Sequence, residues 1–373
     1  MAQSRESGQL FVYSKTTGRV AFASGCTDWG QVDTAVILLN GLTEGPLSLP
    51  YSSALTARIL SASPKTVIIQ PILSSAYYGY GTSSLKKDAT EIAEVLDTII
   101  AFRVDANNPP EESSRWISFV GHSTGSQDIV HFLSTQKNYH SSVASVVLQG
   151  PVSDREYLAA TFSAMPGDTM LTPDSRRPDS RDWECGNNPS LQMFLWHALA
   201  LEERERGDEL MPTDTDAAPI TASRFASLAG YLGADDMFST DMSENELRTA
   251  LRPLRKTEAR VLMLLSEHDE YFASSHSIRC IAERFAAAIG VGAKSACVCM
   301  KLCNSLPNPE NPRSDDFSVT SCDGSDGLST RFVEMSGENT RAKVVVVTRA
   351  NHACSNAADQ VGAYIGEFLC PQR

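Results

Sequence analysis

The chain has 373 residues, 42% of them hydrophobic, and a net charge of −13 at pH 7 with an isoelectric point near 5.0. That is enough chain for one large α/β domain with an insertion, or for two domains. The acidity argues against nucleic acid and anionic membrane surfaces as partners, and no apolar run approaches the ~20 residues of a membrane span.

Met1–Ser7 lacks the hydrophobic core of a secretory signal, so a cytoplasmic location is expected. Nine cysteines, an odd number in a large chain, read as free thiols in a reducing compartment.

Leu10–Tyr13 and Val20–Ala23 flank Thr17-Gly18 and predict an opening antiparallel hairpin. Short apolar runs follow at Ala35–Leu39, Thr66–Ile69, Trp116–Val120, Val143–Leu148, Val261–Leu265 and Val344–Val347. They are mostly rich in β-branched residues and apolar on both faces, as strands of a parallel sheet covered by helices are. Between them, Ile92, Val95, Leu96, Ile99 and Ile100 keep the spacing of one buried helix face. Ile278, Ile281, Phe285 and Ile289 do the same, as do Val361, Tyr364, Ile365 and Phe368. Alternating strand and helix implies a mostly parallel, doubly wound sheet.

The alternation breaks over residues 151–259, too long for one crossover. Leu191, Phe194, Leu195, Ala198 and Leu201 mark one amphipathic helix there, and Ser243 with Glu246 forms a capping box that opens another. The expected division is core 1–150, helical cap 151–259 and core 260–373, with a separate second domain as the alternative for the middle part. A second excursion, about 291–330, has the composition of a mobile surface loop. It carries Cys297, Cys299, Cys303 and Cys322, whose spacing matches no common zinc pattern.

Chemistry-bearing residues fall at the ends of the predicted strands. Asn40-Gly41-Leu42-Thr43-Glu44-Gly45-Pro46 follows the first internal strand, where glycine lets a backbone N–H approach a substrate carbonyl. Next, Trp116–Val120 runs into Gly121-His122-Ser123-Thr124-Gly125. Gly-x-Ser-x-Gly between a strand and a helix is a sharp turn that lifts a serine hydroxyl above the sheet edge. Ser123 reads as a nucleophile, with the N–H groups of Leu42 and Thr124 as the oxyanion hole.

A serine hydroxyl needs a base, and the base needs an orienting acid. After Val261–Leu265 come Glu267, His268, Asp269 and Glu270. Asp269 is the favoured acid, with Glu267 and Glu270 as rivals and Asp154 as a weaker candidate. After the last strand comes His352, whose imidazole can take and return a proton near neutral pH. His122 is expected to point away from the serine. The remaining histidines, 131, 140, 197 and 276, have no matching context.

With these elements in this order, the chain resembles the α/β-hydrolase superfamily over about residues 10–150 and 260–369. Asn40–Gly45, Leu49-Pro50-Tyr51, Gly121–Gly125 and Asn351-His352 also resemble a largely uncharacterised fungal and plant hydrolase family that includes intracellular siderophore esterases. Asn40 stands where many lipases carry His before Gly, which argues against lipase activity.

The resemblance implies a cofactor-free serine esterase. Its substrate would be a small-molecule ester, such as the hydroxamate siderophore fusarinine C or its triacetyl form, carrying ferric iron. Alternatives are a general carboxylesterase or thioesterase, another hydrolase using the same machinery, a non-catalytic binding protein on a hydrolase scaffold, and a metal-dependent enzyme using the cysteines or His268. Oligomeric state is open.

Overall fold

The computed structural model describes residues 6–111, 114–163, 191–272, 277–291, 295–298, 330–336 and 341–370. The hairpin strands β1 (Gly8–Ser14) and β2 (Arg19–Gly25) open the chain. Then come β3 (Thr34–Leu39), α1 (Ser52–Ala62), β4 (Thr66–Pro71), α2 (Leu85–Asp105), β5 (Ile117–His122), α3 (Thr124–Thr135) and β6 (Val143–Gln149). Among the described residues, five helices follow: α4 (Asp154–Ser163), α5 (Leu191–Glu203), α6 (Ala222–Ala229), α7 (Glu244–Ala250) and α8 (Arg252–Lys256). The chain returns through β7 (Arg260–Ser266), α9 (Ile278–Ile289), β8 (Ser295–Val298), β9 (Phe332–Ser336), β10 (Ala342–Val347) and α10 (Ala358–Leu369).

Among the described residues, ten strands form one sheet in the order β1-β2-β4-β3-β5-β6-β7-β10-β9-β8. The neighbours from β4 through β10 pair parallel, and both flanks are antiparallel. Alternate side chains enter two separate cores. Ala35, Ile37 and Leu39 join the face covered by α2, α3 and α9, whereas Val36 and Leu38 join the face covered by α1 and α10. This period of two is what a strand buried on both sides requires. Helix α2 buries Ile92, Val95, Leu96 and Ile99 completely, and the Ser84 side chain accepts the Lys87 N–H at its start. Truncating one of these side chains to alanine should cost about 2–5 kcal/mol.

The chain moves from β4 on one side of β3 to β5 on the other, so β3 and β5 flank a topological switch point. A crevice opens at the carboxyl ends of such strands. The loop at Asn40 and the turn at Ser123 both begin there.

Two features differ from the sequence expectation. The supposed loop after α9 contains β8, which pairs with β9 to extend the sheet edge. Both strands are short and neither has a continuous apolar run. Cys297 falls on β8. Cys299, Cys303, Cys322 and His276, and residues 173–182 of the middle segment, lie outside the described residues. The middle segment is also not one body. Residues of α4, α5 and α6 form their own cluster with Tyr80, whereas Met237, Phe238, Met242, Leu247, Leu251 and Leu254 pack into the main core. The Ser243/Glu246 capping box is present at the start of α7.

Candidate active site

Ser123 sits between β5 and α3 with φ 52 and ψ −124, a left-handed backbone that costs a non-glycine residue about 1–3 kcal/mol. Its N–H donates to the Gln149 carbonyl at 2.9 Å. The flanking glycines are needed for close approach. A Cβ at position 121 would lie 2.4 Å from the Gly125 carbonyl oxygen, and one at 125 would lie 2.5 Å from that of Leu39. Thr43, Arg349 and Cys354, on the loops around Ser123, are also left-handed. Strain of this kind persists only where the surroundings over-determine it.

His352 lies on the loop after β10, and its Nδ1 is 2.8 Å from Asp269 Oδ2. Both residues are buried. Glu267 and Glu270 are exposed and serve the same loop through its backbone. They accept the N–H groups of Arg349 at 2.8 Å and His352 at 2.9 Å respectively. Gly150, at φ +61, provides a bare floor for the ring, because a Cβ there would lie 3.0 Å from His352 Cε1. Asp154 opens α4 and accepts from Gln127 Nε2 at 2.9 Å. His268 stays at the surface, its N–H donating to the Ala350 carbonyl at 2.9 Å.

Ser123 and His352 line one cavity of about 270 Å³. Gly41, Leu42, Thr43 and Glu44 form one wall, and Tyr157 and Leu158 of α4 with Leu228 of α6 form another. Tyr80, Asp154, Asp216 and Tyr271 add polar groups. The Thr124 N–H is the first of α3, where helical geometry offers no intrahelical acceptor.

Burial controls the ionisable groups. It lowers the His122 pKa to about 3, and the nearby His352 adds to the effect. Burial also raises Glu44, against the Gly41 N–H bond and the charge of His352. Asp154 is raised to about 7, first by burial and then by Asp235, with Arg224 and His352 opposing.

Sequence reasoning put Ser123, Leu42, Thr124, Asp269 and His352 on loops at one sheet edge, and the structure brings these loops together. His122, given no role from the sequence, is buried, its ring centroid is 4.8 Å from that of His352, and it lines the same cavity. Gln149 and Glu44 were missed as site residues. The sequence signal was a polar residue ending the apolar run of β6, and an acid inside a glycine-rich turn.

The family model described as a protein of unknown function, DUF1749, matches residues 1–298, and the chain belongs to that family. An esterase of Emericella nidulans, AN6793, is 24% identical over 271 residues, covering 63% of this chain and 68% of its own. The fusarinine C esterase sidJ of Aspergillus fumigatus is 25% identical over 270 residues, covering 63% and 71%. Among solved structures, the siderophore hydrolase EstB of Aspergillus fumigatus superposes with a TM-score of 0.60 at 20% identity, covering 99% of this chain and 98% of its own. The architecture is the α/β-hydrolase fold.

Proposed function

We propose that this member of the family is a serine esterase in which Ser123 is the nucleophile, His352 the general base and Asp269 the acid that orients it. One observation carries the reading: Ser123, in a strained elbow, shares a cavity of about 270 Å³ with His352, whose ring is paired with a buried Asp269 at 2.8 Å. Asp269 holds the ring with its proton on Nδ1, which leaves Nε2 free to take the Ser123 proton. Ser123 Oγ attacks the ester carbonyl, and the imidazolium returns the proton to the leaving alcohol. Water, activated by the same ring, then releases the acid from the acyl-enzyme. The N–H groups of Leu42 and Thr124 receive the oxyanion, each donor contributing about 3–4 kcal/mol in the transition state. Within the α4–α6 cap, helices α4 and α6 supply a cavity wall beside the loop at Gly41.

The substrate we propose is an ester of a hydroxamate siderophore of the fusarinine type, opened in the cytosol to free its iron. The relatives named as fusarinine C esterase and siderophore hydrolase support this class. A cavity of about 270 Å³ suits one ester-linked arm rather than a whole cyclic trihydroxamate, whose remainder would rest against the cap. The test is mass spectrometry of ferric fusarinine C and its triacetyl form after incubation with wild type and Ser123→Ala. A linear product from wild type alone is expected. Rapid cleavage of small aryl esters with no siderophore product would refute the substrate and leave the esterase reading standing.

A further inference from the structure

Gln149 ends β6, is fully buried and touches both sides of the site. Its backbone carbonyl accepts the Ser123 N–H at 2.9 Å. Its side-chain Nε2 donates to the His352 carbonyl at 2.8 Å and also reaches Cys354 Sγ at 3.4 Å. Its Oε1 lies 2.5 Å from His122 Nδ1. A main-chain carbonyl can only accept, so the amide nitrogen faces His352 and the amide oxygen faces His122. That choice fixes the His122 tautomer, with the proton on Nδ1 and a lone pair on Nε2. His122 Nε2 in turn faces Glu44 Oε1 at 3.8 Å, and the other Glu44 oxygen accepts the Gly41 N–H at 2.8 Å. A line of polar groups thus runs from the loop at Gly41, through the elbow, to the backbone of His352.

The loop that carries His352 needs such support. Arg349 and Cys354, on either side of the histidine, are both left-handed. Glu267 and Glu270 hold the loop through N–H groups and from the exposed side. Gln149 binds its carbonyl from inside.

We propose that Gln149 is a positioning residue that holds the histidine loop and the Ser123 elbow in one register through His122 and the His352 carbonyl, and so acts on turnover rather than on substrate affinity. This rests on the esterase reading. Gln149 is not among the residues that line the cavity and meets it only through Ser123, His122 and His352, so it can change how these groups are placed without touching the substrate, and binding should respond to it less than turnover. A displacement of about 1 Å between reacting groups costs on the order of 100-fold in rate.

The test is steady-state hydrolysis of an aryl ester by full-length variants. Gln149→Met keeps the volume and donates nothing. Its kcat should fall about 30- to 100-fold with KM within about threefold of wild type. His122→Leu should do the same, because the buried Gln149 amide oxygen loses its donor and the elbow loses its link to the histidine loop. His122→Asn places an N–H₂ near the lost Nδ1 and should recover at least about tenfold of that loss.

Three results would overturn the inference: a Gln149→Met kcat within threefold of wild type, equal losses in the two His122 variants, or a rise in KM that accounts for the whole loss. If Gln149→Met folds poorly, the His122 pair decides alone. Ser123→Ala is assayed beside them. If it retains turnover, the esterase reading fails. If it is inactive while Gln149→Met is unimpaired, only the positioning role fails.

Discussion

Acid should destabilise the wild-type protein through His122, and an asparagine at that position should remove the effect. Burial, aided by His352, holds the His122 imidazole at a pKa of about 3 in the fold. In the unfolded chain it titrates near ~6.5. The folded value is the depressed one, so the unfolded state takes up the proton first. The associated stability is therefore complete above pH ~6.5 and is lost as pH falls toward about 3. Between pH 7.5 and pH 5 this amounts to ~1.5 pH units of preferential protonation, or about 2 kcal/mol. The assay is urea unfolding of wild type and His122→Asn at both pH values. Lost packing in the variant is the same at each pH, and every other titrating group is common to both proteins. The difference of differences therefore isolates the ring. Wild type should lose about 2 kcal/mol more than the variant on acidification. An identical loss in the two proteins would refute a buried neutral His122.

Two further outcomes follow from the same geometry. Asp269→Asn should lower kcat by ~10⁴-fold, because the amide no longer fixes the His352 tautomer. Glu267→Gln and Glu270→Gln still offer an oxygen to the backbone and should cost less than about tenfold, so steady-state kinetics that rank either glutamate above Asp269 would move the acid. Asp154 is raised to about 7, so its ionisation burdens the fold increasingly as pH rises from ~4 through about 7. Asp154→Asn should stabilise the protein more at pH 8 than at pH 5, by on the order of 2 kcal/mol, and equal stabilisation at both pH values would contradict the burial of that charge.

The sheet and the elbow were legible because they are written locally. Runs such as Val261–Leu265 are apolar at every position, and Gly121 and Gly125 are spaced as the close approach of α3 to β5 and β3 demands. The structure also brings Asp269 and His352 together from strand ends that a parallel sheet necessarily shares. Other features were not legible, because they depend on contacts far apart in sequence. Gln149 looks like the polar end of a strand until His122 and His352 are set on either side of it. Glu44 looks like a loop acid until it meets Gly41 and His122. The division of the middle segment follows from which surface each helix meets, so Met237–Leu254 joins the main core although its sequence continues that of α4–α6. Strands β8 and β9 are too short to carry a periodic signal and form by pairing at an open sheet edge.

The esterase reading stands most directly on Ser123. Wild type and Ser123→Ala are treated with a fluorophosphonate, which phosphonylates only a serine activated by a neighbouring base, and the intact mass and the modified peptide are measured. One adduct on wild type, mapped to Ser123 in the peptide spanning Gly121–Gly125, and none on the variant is the expected result. An adduct on another residue, or equal labelling of the two proteins, would contradict the assignment of Ser123 as the nucleophile.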